Sequence, residues 1–453
     1  MRSGPSLFEI IDLYNTPERR DRAVRLAWIS WGAFFLAVCL TFFWKETGLP
    51  VNHAYACGAQ NWLDHRDLYS GDGGFIYLPQ SAIVYTPFYW LNGAWEQILW
   101  RFVMVGLFAA GVFRLSRLAG KGTQIEFFPL VTLMVLPKTW TCAYSGQATL
   151  AMAGLSMLAL VEIDRRRWGL AAGLLIAALA FKPLAFVLLL LAAALYAPLR
   201  SRLAVGLILF FVAPYATQDA AYVSQQYLAA IPMFENAVKI GLTAEWAQVF
   251  SLSQLAGWPV PTELQTVVRI AAAVGVLLLC RRVCRPVARS GVDDGLFSAE
   301  PAWLTILSLA TAYLLLFNPR TENNTYVLLA PVLGIHCVYA GLISRQCVRC
   351  ALTAAAAVSI VAGHEFCNWV TPTAGFVWVC PLVCLGFAVH CVWNVVCTTI
   401  DVSIPSLDLS NVAMMLPQQP ECPCPAETQS HVDNRTGSVP IAFSIPAAPI
   451  SMS

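Results

Sequence analysis

Long apolar runs separated by short polar or basic segments recur along the chain. Crossing a hydrocarbon core as a helix takes about 20 mostly apolar residues. Runs of this kind lie at about 23–44, 95–116, 124–141, 145–163, 167–181, 183–199, 202–218, 264–281, 300–318, 325–344, 349–364 and 374–398. They predict an all-α polytopic membrane protein with about 12 transmembrane helices, the shorter runs being partial or broken spans. Composition agrees: 58% of the 453 residues are hydrophobic and only 12% are charged, against roughly 25% charged in soluble proteins. A net charge of +2 gives no basis for a nucleic-acid partner.

Charge then orients the stack. With the N-terminus in the cytoplasm and the spans alternating, twenty of the 28 Lys and Arg residues fall in cytoplasmic segments, as the positive-inside rule requires. An odd number of spans would scramble this bias. The expected organisation is a cytoplasmic N-terminal segment (1–22), a transmembrane domain (23–400) and a tail (401–453). The tail is rich in Pro, Ser and Thr and reads as disordered and cytoplasmic. The expected location is the cell membrane, multi-pass, with both termini inside. Two external segments are long, about 45–94 and 219–263.

The first of these contains "LYSGDGGFIYLPQSAIVYTPFYW" (68–90). Its rings, among them Tyr69 and Tyr77, read either as an interfacial aromatic belt or as a surface that holds sugars. The added glycines, the two prolines and Gln80 favour the second reading. Lys138, Lys182 and Arg320 break the positive-inside pattern, and each lies beside a proline at the outer end of a span. Such cations either snorkel to headgroups or bind an anion. The phosphate of a lipid-linked sugar suits them: it is the leaving group in sugar transfer, and a cation stabilises its developing charge.

Transfer also needs a base for the acceptor hydroxyl. Asp64 and Asp67 are three apart and would share a helix face, or else form a solvated turn neutralised by Arg66. Histidine as a residue type exchanges protons near neutrality, so His53 also qualifies. His364 and Glu365 read as an ordinary interfacial pair. The fifteen cysteines lie mostly in apolar runs, and neither Cys347-x-x-Cys350 nor Cys422-x-Cys424 has a histidine at finger spacing. No P-loop, HExxH or DxD pattern occurs, so no cofactor and no metal are expected.

Four segments resemble glycosyltransferase family 87, the polyprenol-phosphate-sugar-dependent enzymes of the GT-C superfamily. They are "NWLDHRDLYSGDGGFIYLPQSAIVYTPF" (61–88), "YSGQATLAMAGL" (144–155), "AFKPLAFVLLLL" (180–191) and "FNPRTENNTYVLLAP" (317–331). The resemblance implies a GT-C-type bundle whose external loops form the site. It implies transfer of a hexose, often mannose, from a polyprenyl-phosphate donor to a glycolipid or glycan acceptor, with inversion. It also implies that Lys182 contacts the donor phosphate, that Gln147 and Tyr77 line the cavity, and that Arg320 and Glu322 lie near donor or acceptor. Many members carry an aspartate at the start of the first external loop. The matching position here falls near Val51 or Asn52, which leaves Asp64, Asp67, His53 and Glu322 as candidate catalytic groups. Two other classes stay open: a transporter or flippase for lipid-linked sugars, and a silent binder of them. A transporter would show internal repeats and paired broken helices near the midplane, and neither is seen. The missing aspartate favours the binder.

Overall fold

A computed structural model describes residues 16–44, 51–70, 74–239, 246–284, 300–370 and 377–403. The expected tail lies outside the described residues apart from its first three positions. All regular elements among the described residues are helical, and their one β pairing is an antiparallel bridge between Trp246 and Glu322.

In chain order the helices are α1 (Pro17–Trp44), α2 (Asn52–Leu63), α3 (Pro79–Tyr89), α4 (Gly93–Ala119), α5 (Phe127–Ser145), α6 (Thr149–Asp164), α7 (Trp168–Phe181) and α8 (Ala185–Leu195). They continue as α9 (Ala197–Val212), α10 (Ala220–Lys239), α11 (Val249–Leu255), α12 (Thr262–Cys284), α13 (Ala302–Phe317), α14 (Leu329–Val338), α15 (Cys347–Val370) and α16 (Val379–Ser403).

Among the described residues, six stretches are long and apolar enough to cross a membrane: α1, α4, α9 with its 3₁₀ extension, the turn-and-helix segment Asn323–Ile343, α15, and α16 as far as Cys397. That is fewer full-length spans than the expected 12. The apolar stretch between about 167 and 218 shows why. Pro183 ends α7, and a break at Tyr196 just ahead of Pro198 separates α8 from α9. Proline removes a backbone donor and pushes its predecessor out of the α region. Hydropathy sums are blind to such cuts, so α7, α8 and α13 are apolar yet short.

Large apolar side chains cover the outward faces: Leu26, Ile29 and Leu40 on α1, Ile208 and Leu209 on α9, Val267 and Ile270 on α12, Trp393 on α16. Soluble monomers rarely expose so much contiguous apolar surface. In hydrocarbon it costs nothing, because helices satisfy their own backbone groups.

Inside, α4 crosses α6 at a point where both present glycine. A Cβ on Gly154 would lie 2.2 Å from the Leu107 carbonyl oxygen, and one on Gly111 would lie 2.7 Å from that of Gly154. Small residues allow helix backbones this approach. Gly154→Ala is therefore expected to cost at least about 2 kcal/mol through forced separation of the helices. Gly173→Ala, with nothing within 4 Å of its Cβ, serves as the control. Equal melting temperatures in detergent for the two variants would contradict this crossing.

The ends of α4 and α6 meet in a charged cluster. Glu162, 5% exposed, pairs with Arg114 at 3.3 Å, Arg165 at 3.3 Å and Arg167 at 3.6 Å. Arg117 pairs with Glu126 at 3.5 Å and Lys121 with Asp164 at 3.7 Å. Two of the segments that the charge pattern assigns to one side thus share one end of the bundle.

A second cluster joins α13, α14 and α15. Glu300 accepts from Arg349 and lies 3.1 Å from His336 Nδ1, whose Nε2 is 2.8 Å from Ser308 Oγ. Burial alone would raise the Glu300 carboxyl. The hydrogen bond and charge of His336, with the charges of Arg349 and His390, outweigh it and hold the group below its ordinary value. A depressed carboxylate stabilises the fold at neutral pH, and that contribution is lost as pH falls through the depressed value. Glu300→Gln should therefore be less stable than wild type at about pH 7 and should lose less on acidification. Parallel melting-temperature curves for the two proteins would rule out this linkage.

Candidate active site

Three breaks in helical structure bring the chemistry together. α5 ends at Ser145 because Gly146 takes the left-handed conformation (φ 67°), with its N–H on the Ala143 carbonyl and that of Gln147 on the Cys142 carbonyl. Glycine pays no Cβ penalty there. The turn is tight, since α6 restarts at Thr149, and it points Gln147 and Thr149 toward the end of α5. Asn52 closes it from outside: a Cβ on Gly146 would sit 3.2 Å from Asn52 Oδ1.

The second break is Lys182. Pro183 forces it into extended backbone (φ −153°, ψ 126°). Its Nζ donates to Thr149 Oγ1 at 2.8 Å. The third is the segment between α13 and α14. It is pinned by a neighbouring strand-like stretch: Ala247 N donates to the Thr321 carbonyl at 2.6 Å, Gln248 Nε2 to that of Pro319 at 3.3 Å, and Tyr326 OH to that of Ala247 at 2.9 Å. This pinning fixes Glu322 and Asn323.

A continuous polar chain results. Lys138 Nζ donates to Asn323 Oδ1 at 3.0 Å, and the adjacent Glu322 Oε2 accepts from Gln147 Nε2 at 2.9 Å. Gln147 Oε1 accepts from Thr149 Oγ1 at 3.4 Å, and Thr149 receives Lys182. Lys182, Lys138 and Glu322 all lie close enough to Cys142 for their charges to act on its thiol. Lys138 is 6% exposed. Among the described residues neither lysine has a carboxylate within salt-bridge distance. A buried cation without a counter-ion is costly, and an arriving anion would remove that cost.

Arg320 belongs to the same segment, with its guanidinium 5.6 Å from the centre of the Trp246 ring. Tyr77 OH accepts from Tyr55 OH at 2.9 Å, and Tyr55 OH in turn accepts from Ala148 N at 3.4 Å, which ties the aromatic segment to the Gln147 turn. Tyr69 OH donates to the Tyr77 carbonyl at 2.9 Å.

Other sequence candidates have different partners. Asp64 is exposed and paired with Arg66 at 3.4 Å, and Asp67 Oδ1 accepts from the Tyr69 N–H at 3.1 Å. The "DHRD" stretch is thus an exposed turn, paired within itself through Asp64 and Arg66 and to Asp219 through His65 at 3.7 Å. His53 is exposed on α2 and lies 3.4 Å from Cys57 Sγ. Gln80 spends its amide on the Phe210 carbonyl (2.9 Å) and Tyr227 OH (2.6 Å), fastening α3 to α9 and α10.

Two features escaped the sequence reading. Asn323 was not among the candidates, although its neighbour Glu322 was. Asn52, fully buried, gives its amide to Gln97 at 2.5 Å and Tyr85 at 3.2 Å, and Tyr85 donates to Glu96 at 2.8 Å. No periodic signal marks either. Among the described residues no group of three His, Cys, Asp or Glu is placed to hold a metal ion.

A groove of about 630 Å³ opens between α7 and α9. Its walls are mostly apolar or glycine, from Gly169 and Gly173 to Ile176 on α7 and from Arg202 to Phe210 on α9. Ile176 lies six residues, about 9 Å of helix, before Lys182.

The model of glycosyltransferase family 87 matches residues 75–293, a stretch that holds Tyr77, Lys138, Gln147 and Lys182. No curated protein matches the chain.

Proposed function

We propose that this chain, which belongs to glycosyltransferase family 87 and is a membrane glycosyltransferase, transfers a hexose from a polyprenyl-phosphate donor to a glycolipid or glycan acceptor. Mannose is the first candidate sugar. Inversion at the anomeric carbon, a GT-C arrangement and a site at the outer leaflet belong to the same reading. The observation that carries it is the pair Lys138 and Lys182, which lack carboxylate partners among the described residues and are joined through Asn323, Gln147 and Thr149 to the carboxylate of Glu322.

In this mechanism the donor phosphate sits against Lys182 and Lys138. The polyprenyl tail runs down the groove between α7 and α9, whose apolar walls approach Lys182. Glu322 takes the proton of the acceptor hydroxyl. The acceptor oxygen bonds to the anomeric carbon from the face opposite the phosphate, and the carbon–oxygen bond to phosphate breaks. The electron pair leaves with polyprenyl phosphate, whose growing charge the lysines stabilise. Glu322 is preferred to Asp64, Asp67 and His53 because it alone of the four is hydrogen-bonded into the lysine chain.

The test is purified protein with labelled polyprenyl-phosphate mannose. Sugar transfer to an acceptor, with release of polyprenyl phosphate, supports the reading. Movement of the donor across vesicles without cleavage would replace it with a flippase, and tight binding without turnover would replace it with a silent binder.

A further inference from the structure

A second cavity is lined by Phe75, whose ring contacts Tyr77 of the paired tyrosines. It measures about 340 Å³, within the roughly 300–1,000 Å³ of small-molecule clefts. Its walls include Cys57, Gln60 and Asn61 of α2, Tyr69 and Ser70 of the following turn, and Phe75. Gln60 and Ser70 are exposed. The Gln60 amide has no hydrogen-bond partner among the described residues. The Tyr69 phenol stays protonated, because burial and the nearby Asp67 charge push its pKa up. Among the described residues, the cavity thus combines two ring walls with neutral amides and hydroxyls and presents no cation. That chemistry suits a sugar, whose C–H faces pack on rings and whose hydroxyls need neutral donors and acceptors.

Its place relative to the lysines decides which sugar. Phase by phase along the rings, Phe75 contacts Tyr77 at 5.6 Å between centres, Tyr77 contacts Tyr55 at 4.8 Å, and Tyr55 OH meets the Ala148 N–H of the Gln147 turn. The cavity and the lysine chain are therefore linked through one tyrosine pair. Phe75 is locked in place by α2, since a Cβ on Gly58 would fall 2.4 Å from its ring.

We infer that this cavity is the acceptor subsite and binds a neutral glycan unit of the acceptor, one sugar or more from the hydroxyl that reacts. The inference rests on the transfer reaction proposed above, which puts the donor phosphate at the lysines and leaves the cavity linked to them through Tyr77 and Tyr55 for the acceptor. The occupant is a neutral hexose unit, because the walls formed by the described residues offer no cation to pair with an anion.

Cys57 gives a direct readout. Burial raises its thiol pKa, so alkylation by iodoacetamide is run at about pH 8.5 and followed by mass spectrometry on the full-length protein. The probes are methyl hexosides and disaccharides of mannose, glucose and galactose, with glycerol as control. At least one saccharide should slow alkylation of Cys57 saturably while leaving the exposed Cys284 and Cys347 unaffected. Gln60→Ala and Ser70→Trp, both at exposed positions, should abolish the protection. In the transfer assay Gln60→Ala should raise acceptor KM about tenfold with donor KM unchanged. Equal Cys57 rates with every saccharide, together with an unmoved acceptor KM, would overturn the subsite while leaving the transfer reaction standing. Protection of Cys57 in a protein that turns over no lipid-linked sugar would leave a saccharide-binding cavity but overturn both the reaction and the acceptor role.

Discussion

Lys182→Ala is expected to lower turnover of a polyprenyl-phosphate sugar by about 10²–10³-fold, the usual effect of removing one group that stabilises a developing anion. The loss should fall mainly on kcat, because the phosphate gains charge as it leaves and the lysine's contribution grows with it. Insertion and melting temperature should stay near wild type. Lys182 is only half-buried, its backbone is set by Pro183, and its one side-chain partner among the described residues is the neutral Thr149 hydroxyl. Deleting it strands no buried charge. Single-turnover release of polyprenyl phosphate from labelled donor measures the effect. Wild-type kcat in a folded Lys182→Ala protein would exclude Lys182 from the reaction.

Glu322→Gln should lower kcat by about 10²–10⁴-fold, the range typical of general base catalysis. The amide keeps the shape and still accepts from Gln147 Nε2, so the segment pinned by Ala247 and Tyr326 should hold. The acidic limb of the pH–rate profile should vanish with the carboxylate. Asp64→Asn and Asp67→Asn should each stay within a few-fold of wild type, since exposed self-paired carboxylates contribute little. A large loss in either of these, with Glu322→Gln active, would move the base to the turn after α2.

The basic residues of the site were legible because each contradicts a rule. Lys138, Lys182 and Arg320 stand beside prolines on the side the charge bias leaves poor in cations. Ranking the acids was not possible in the same way. Asp64, Asp67, His53 and Glu322 carry similar chemistry, and only folding tells an exposed turn from a pinned segment. Gln80 and Gln147 look alike as amides near aromatic stretches. One fastens α3 to its neighbours and the other bridges Glu322 and Thr149. Asn323, the hydrogen-bond partner of Lys138, carried no such signal.

By itself the sequence determined the membrane setting and the helical class. These depend on sums over consecutive residues, and a bilayer reads such sums directly. The tertiary structure decided which apolar runs span unbroken and which residues share a site. Lys138 and Asn323 are 185 positions apart, and no local pattern records which polar groups a bundle buries against each other.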